Sequence, residues 1–389
     1  MTPGARAQAA IELLDEIIAA ARDRGAAADT LIARYFNNRR YAGSKDRRAI
    51  RDLVYRAIRR TGDLPASGRA ALIGLAREDA DLANAFDGSP HAPRPIAPAE
   101  PASETGSLPA WLAERIDPAE HLALLERAPL DVRVNSRKID RAGAVAMLAD
   151  AVPTPFAPHG LRLPEGSAVE ASRAWTEGLI EIQDEGSQLI ALATQARAGM
   201  TILDLCAGAG GKTLALADAM AGEGRLIASD TNRARLSRLA PRAARANAAF
   251  IESRLLDPGR EAESLADLAG ACDVVLVDAP CSGTGTWRRN PEARWRLTPD
   301  RLRELVDIQR RLLGIAAQLV APGGALVYAV CSLLEEEGAL QAGHFLTDSP
   351  AFEAEKDLFT PGCYRGSGKL LSPARDGTDG FFVARFRRS

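Results

Sequence analysis

A chain of 389 residues has room for two or three domains that each bury a core, which excludes a peptide, a single small module and a disulfide scaffold. Its 46% apolar and 26% charged residues are ordinary for a globular protein, and 5% aromatic residues leave stacking only a local role. Lys+Arg of 49 against Asp+Glu of 51 gives a formal net charge of -2, so the total shows no preference for a polyanionic partner.

Residues 5–24 place Ile11, Leu14 and Ile18 on one helical face with Leu13 and Ile17 beside it, and Gly25 follows as a stop. Further helices are predicted from Asp29 to Phe36 and from Asp46 to Arg60, the latter with an apolar stripe of Ile50, Leu53, Val54, Ala57 and Ile58. Residues 1–85 thus read as a small helical domain. Between Phe86 and Pro109, six prolines interrupt a stretch poor in large apolar residues, which predicts an exposed, partly extended linker. Residues 110–175 read as a small α/β module, with an alternating strand at Leu130, Val132 and Val134 and a helix over Ala142–Ala149.

From residue 176 to the end, strand and helix patterns alternate. Strands are predicted at Ile202–Leu205, Leu226–Ser229, Val274–Val277 and Ala325–Ala329, with helices at Thr213–Met220 and Leu302–Leu319. This order predicts an α/β fold with a parallel sheet covered by helices on both faces, in which ligands sit at the C-terminal strand ends.

The first of these strands runs into Cys206-Ala207-Gly208-Ala209-Gly210-Gly211-Lys212-Thr213 and then a helix. A glycine-rich turn of this kind lets backbone approach a ligand, and the helix start offers free N–H donors. A phosphate-binding P-loop would need glycine at Cys206, and a dinucleotide GxGxxG would need glycine at Thr213; both fail. S-adenosylmethionine fits the remainder. Asp230, at the end of the next strand, suits ribose hydroxyls, and Asp257, after a further short strand, suits an adenine amine.

The five cysteines, Cys206, Cys272, Cys281, Cys331 and Cys363, include no CxxC pair, which argues against a disulfide framework and a zinc site. Two of them end strands: Asp278-Ala279-Pro280-Cys281-Ser282-Gly283-Thr284-Gly285 and Val330-Cys331-Ser332. Adjacent strand ends would bring two thiols to one pocket. Cys272 and Cys363 are read as structural. No signal core stands at Met1–Gln8 and no run approaches the ~18 apolar residues of a membrane span, so the cytoplasm is the expected compartment.

Charge is uneven. Leu31–Arg60 holds ten basic residues and only two acids, Asp46 and Asp52, with Tyr35, Phe36, Tyr41 and Tyr55 interleaved. Such a segment suits RNA phosphates and loops, whereas the plain alternative is a solvated, ion-paired helix face. Arg133, Arg137 and Lys138 form a second basic cluster, and Trp287, Arg288, Arg289, Arg294, Trp295 and Arg296 a third; RNA is expected across all three.

The loop from Leu203 to Thr213, the block at 278–285 and Val330-Cys331-Ser332 together resemble the RNA cytosine-C5 methyltransferases of the Sun/nucleolar-protein family, nearest its bacterial Fmu/Sun branch acting on 16S ribosomal RNA. The likeness runs over roughly 108–389 and includes Arg133-Val134-Asn135, Gln183-Asp184, Arg288-Arg289-Asn290-Pro291 and Asp379-Gly380-Phe381-Phe382. It departs at Gly208-Ala209, where the family commonly has Ala-Pro, and at Val330, where it has threonine. The resemblance implies a Rossmann-like S-adenosylmethionine-dependent methyltransferase sheet, a small α/β RNA-binding module and a shortened NusB-like helical domain. It makes Cys331 the nucleophile and Cys281 the helper in product release, with Asp278 and Lys212 as further catalytic residues. Cofactor contacts are implied at Cys206, Ala207, Gly208, Ala209, Gly210, Gly211, Lys212, Asp230, Arg235, Asp257 and Asp278. The implied partner is 16S ribosomal RNA, free or in a partly assembled subunit, for a monomer that needs neither metal nor membrane. A tRNA substrate and a non-catalytic RNA-binding assembly factor are the competing readings; an NAD-dependent oxidoreductase is disfavoured by Thr213.

Overall fold

Helix α1 (Pro3–Arg22) starts where Thr2 accepts the Ala5 N–H through its hydroxyl at 3.1 Å and Pro3 occupies the first turn, whose N–H groups have no helical acceptor. The computed structural model describes residues 1–23 and 25–389, so Arg24, the last position of the expected helix, lies outside the described residues. Helices α2 (Ala28–Asn38), α3 (Ser44–Arg60) and α4 (Gly68–Ala76) follow. Their apolar faces meet: Leu14, Ile17, Ile32, Ile50, Val54, Ile58 and Leu72 are buried in one cluster. Each such side chain contributes roughly 1.5–3 kcal/mol when fully withdrawn from water.

The chain divides into two compact units. The first comprises Met1–Arg127 with Thr286–Pro299, and the second comprises Ala128–Gly285 with Asp300–Ser389. This division differs from the sequence segments 1–85, 86–109, 110–175 and 176–389. The proline-rich stretch is wound onto the helical unit, since the Ser103 N–H donates to Ala70 O at 2.9 Å and the Gly106 N–H to Arg60 O at 2.9 Å. More than half of its residues are exposed and none lies in a helix or strand, as expected, while Leu108 at its end is buried.

Residues 286–299 return to the helical unit and are locked there. Trp295 joins its core and donates its indole N–H to Thr61 O at 3.1 Å. The buried Arg294 guanidinium donates to Ile58 O at 2.7 Å, to Arg59 O at 3.1 Å and to Ser107 O. Glu292 accepts the Ala28 N–H at 3.0 Å, and Arg296 donates to Gly25 O and Ala26 O.

In the second unit, β1 (Leu130–Val134), β2 (Val152–Pro153), β3 (Gly160–Leu163) and β4 (Ile180–Ile182) form an antiparallel sheet in the order β2-β3-β1-β4. The larger sheet contains β5 (Thr201–Asp204), β6 (Arg225–Asp230), β7 (Glu252–Leu255), β8 (Cys272–Asp278), β9 (Val320–Val330), β10 (Phe352–Glu355), β11 (Cys363–Arg365), β12 (Gly368–Leu371) and β13 (Phe381–Arg388). Its order is β11-β12-β13-β9-β8-β5-β6-β7, with β10 paired to β13. Strands β9, β8, β5, β6 and β7 are parallel, and β13 closes antiparallel on β9.

Alternate residues serve opposite faces, as a period of two requires. Ile202, Leu226, Val274 and Val327 pack with helices α5 (Glu185–Ala193) and α6 (Gly211–Ala219). Leu203, Ile227, Val275 and Leu326 pack with α7 (Pro299–Leu319). Covered on both sides, the strands need near-continuous apolar runs, which is how they read in the sequence. The chain steps from β5 to β6 on one side and later to β8 on the other, which opens a crevice at the strand ends.

Candidate active site

The loop from β5 to α6 is shaped by glycine. Gly210 caps the helix at φ +83°, and a Cβ there would lie 2.2 Å from Leu239 Cδ1, so a side chain is excluded on both counts. Ala207 N–H donates to Ser229 O, and Gly208 N–H donates to Asp230 Oδ2 at 2.8 Å. The other Asp230 oxygen accepts the Asn232 N–H at 2.6 Å. The Arg235 guanidinium lies over Gly208, within 2.6 Å of where a Cβ would be. Asp257 is exposed two residues beyond β7, while its neighbour Leu256 donates to Asp230 O at 3.0 Å. Asp257 is thus at the expected strand end, with no side-chain bond to the rest of the group among the described residues.

Under the loop, Asp204 is buried and accepts the Thr213 hydroxyl at 2.6 Å, with its Oδ1 unpartnered. Burial pushes its carboxyl up to about 7 although the Thr213 bond pulls the other way. Burial also pushes the Cys206 thiol well above its usual range, which makes it an inert wall of the loop.

Lys212 Nζ reaches Asp278 Oδ2 at 2.7 Å. Burial pulls the ammonium down, but Asp278, Cys331 and Asp204 outweigh it and hold Lys212 above its ordinary value. The Phe381 ring lies 5.3 Å from Nζ. Beyond Asp278 the chain delivers Cys281, and beyond β9 it delivers Cys331; the two sulfurs are 3.3 Å apart. The hydrogen bond to Cys331, with burial and the charges of Cys331 and Glu337, pushes the Cys281 thiol up.

The two cysteine loops are tied by groups the sequence reading left out. Ser282 N–H and Oγ, Ser332 Oγ and Gln309 Nε2 all donate to the carboxylate of Glu337, at 2.8, 2.5, 2.6 and 3.0 Å. Thr284 Oγ1 accepts the Leu333 N–H at 2.8 Å. A serine directly after each cysteine was the available signal; Glu337 was hidden in Glu335-Glu336-Glu337, which reads as a solvated acidic run. Gly285 is required by a close approach, because a Cβ would meet Gly380 O at 2.1 Å. Asp184, which caps α5 through the Ser187 N–H, also accepts the Asp379 N–H at 3.2 Å. The separate motifs Gln183-Asp184, 278–285 and Asp379-Gly380-Phe381-Phe382 therefore converge on one strand-end cluster.

The basic patches fare differently. Trp287, Arg288, Arg294 and Trp295 are buried, which corrects their assignment to an RNA-facing rim. Arg133 is buried and ion-paired to Asp218 at 2.9 Å, and Lys138 donates to Glu177 O and Arg245 O. In the segment 31–60, Arg34, Arg39, Arg51, Arg56 and Arg60 pair with Glu16, Glu12, Asp29, Asp79 and Glu78. Arg40, Lys45 and Arg48 remain exposed and unpaired among the described residues, beside Tyr41 at 74% exposure.

Among the described residues no helix is long and apolar enough to cross a membrane, and no group of three or more His, Cys, Asp or Glu is arranged to hold a metal ion.

The family described as 16S rRNA methyltransferase RsmB/F matches residues 190–387. A Synechocystis protein named "Probable ribosomal RNA small subunit methyltransferase B" is 34% identical over 74% of this chain and 68% of its own length. The Pasteurella multocida ribosomal RNA small subunit methyltransferase B is 33% identical over 72% of this chain and 65% of its own. The chain thus spans about two thirds of the length of these relatives. Among solved structures, PH0851 superposes with a TM-score of 0.80 at 23% identity, covering 100% of this chain and 99% of that one. A methyltransferase homolog protein from Pyrococcus horikoshii superposes with a TM-score of 0.62 at 26% identity, over 70% of this chain and 90% of that one. The sheet is therefore a Rossmann-like methyltransferase sheet, and the chain belongs to the RsmB/F family of 16S ribosomal RNA methyltransferases.

Proposed function

We propose that this chain transfers a methyl group from S-adenosylmethionine to C5 of a cytosine in 16S ribosomal RNA, through a transient bond between Cys331 and C6 of the base. The observation that carries the reading is the pair of sulfurs 3.3 Å apart at adjacent strand ends, with the Lys212–Asp278 ion pair held in the same cluster. The donor set suits the cofactor. Asp230 has lone pairs left for ribose hydroxyls after two N–H bonds, and the start of α6 offers N–H donors to a carboxylate. Residues Cys206–Lys212, Asp230, Arg235, Asp257 and Asp278 would hold it, and when bound it supplies an electrophilic methyl group.

The chain's own residues supply the rest. C5 of cytosine is a weak nucleophile; addition of the Cys331 thiolate to C6 makes the ring enamine-like and C5 reactive. Asp278 accepts a hydrogen bond from the exocyclic amine, and Lys212 stabilises negative charge developing on the ring. Once C5 carries the methyl group, its proton passes to solvent water, the C5–H electrons re-form the C5–C6 double bond, and the Cys331 thiolate leaves, with Cys281 assisting that release. The base must be unstacked to enter. RNA phosphates are met by Arg40, Lys45 and Arg48, with Tyr41 available for stacking. The same reading puts the work in the cytoplasm, on a single chain.

Bisulfite sequencing of total RNA from a strain lacking the gene tests this proposal. Loss of one 16S 5-methylcytosine is expected; loss at a tRNA site instead would replace the substrate, and an unchanged map would refute the reading.

A further inference from the structure

Glu337 is 0% exposed and faces no cation among the described residues. All four of its side-chain partners are N–H or O–H donors, the arrangement an acceptor-only carboxylate requires. Two of these donors come from Ser282, next to Cys281, and one from Ser332, next to Cys331. Burying a charge without a counter-ion is costly, and here four donated hydrogen bonds offset that cost. Its position at the junction of the two cysteine loops therefore calls for a role in the thiol pair.

We propose that Glu337 is a positioning residue: its buried carboxylate gathers the two cysteine loops and holds their sulfurs in contact, so that Cys331 rather than Cys281 is presented to the base. The inference rests on the covalent reading above. Cys331 is among the groups that hold the Lys212 ammonium charged, whereas Cys281 feels the negative charges of Glu337 and Cys331. From β8, Asp278 is neutralised by Lys212; from β9, Tyr328 donates its hydroxyl to Glu337 O at 2.5 Å; α7 contributes only the neutral Gln309. Glu337 thus acts on Cys281 both by tying its loop and by its charge.

The test is site-resolved alkylation of the full chain with iodoacetamide across about pH 6 to 9, read by mass spectrometry without RNA or cofactor. In the wild type, Cys331 should react at least about tenfold faster than Cys281 at neutral pH. In Glu337→Gln, Cys281 should react about tenfold faster than in the wild type, with its pH profile moved down by about one unit. Glu337→Asp should restore most of the preference. A Glu337→Gln profile that superimposes on the wild type overturns the proposal. Should that variant not fold, Ser282→Ala/Ser332→Ala, which removes donors from both loops, gives the second readout: the preference for Cys331 should fall at least about threefold, and an undiminished preference overturns the clamp. Methyl transfer by the wild type is scored separately, so failure of the reaction assignment shows as no transfer to RNA whatever the alkylation pattern.

Discussion

Cys281 and Cys331 face each other with their sulfurs 3.3 Å apart, and that contact, with burial, pushes the Cys281 thiol up. A thiol pushed toward its protonated form is a poor nucleophile, which leaves the attack to Cys331. Cys331→Ala should lower methylation to below about one-thousandth of wild type and abolish covalent RNA adducts. Cys281→Ala should instead accumulate adducts, which denaturing gels resolve as slow-migrating protein. Reversed phenotypes would make Cys281 the nucleophile.

Lys212 and Asp278 form the cation–carboxylate pair of the site. Lys212→Met removes the charge meant for the developing anion and leaves Asp278 without its partner. A fall of about 10²–10³ in kcat is expected. Single-turnover methylation at saturating RNA measures it, and a change confined to KM would reassign Lys212 to ground-state binding.

Asp204 sets a pH dependence. Burial raises its carboxyl to about 7, so between about pH 4 and 7 the folded chain holds a proton that the unfolded chain has released. The unfolding free energy must fall as pH rises through that window and level off above it. Asp204→Asn needs no proton to be neutral and should lack this slope, so its stability relative to wild type should increase from about pH 5 to 8. Parallel urea-melt midpoints over that range would contradict the assignment.

Arg294 is a structural arginine. Burial lowers its guanidinium to about 10, and its N–H groups satisfy carbonyls of Ile58, Arg59 and Ser107. Arg294→Ala removes all three of these hydrogen bonds and opens a cavity, so a loss of about 3 kcal/mol or more is expected in denaturant unfolding. The salt slope of RNA binding should not change, as it would if Arg294 met a phosphate.

The converse holds for Arg40, Lys45 and Arg48. Replacing all three with Gln should change stability by less than about 0.5 kcal/mol and reduce the log–log salt slope of RNA binding by about 2. Filter binding across salt concentrations reads the slope. An unaltered slope would remove this turn from the RNA surface.

Much of the fold was legible locally. The strands β5, β6, β8 and β9 carry near-continuous apolar runs because helices cover both sheet faces, and the stripes Ile11–Leu14–Ile18 and Ile50–Val54–Ile58 announce helices through their period. The glycine loop, Asp230, Asp278 and both cysteines were readable for the same reason, since each occupies the end of a strand whose pattern is local. What residue order alone could not decide was the partner of each charge. Arg133 finds Asp218, Arg294 finds Ile58 and Ser282 finds Glu337, at separations of 85, 236 and 55 residues. A basic run looks the same whether its charges are paired or free, and an acidic run looks the same whether one member is solvated or sealed inside. Burial and pairing are properties of distant segments brought together. The tertiary structure therefore determined that, among the described residues, three charges, not ten, stay exposed and unpaired in the basic segment, and that one carboxylate of three is sealed in to tie the two cysteine loops together.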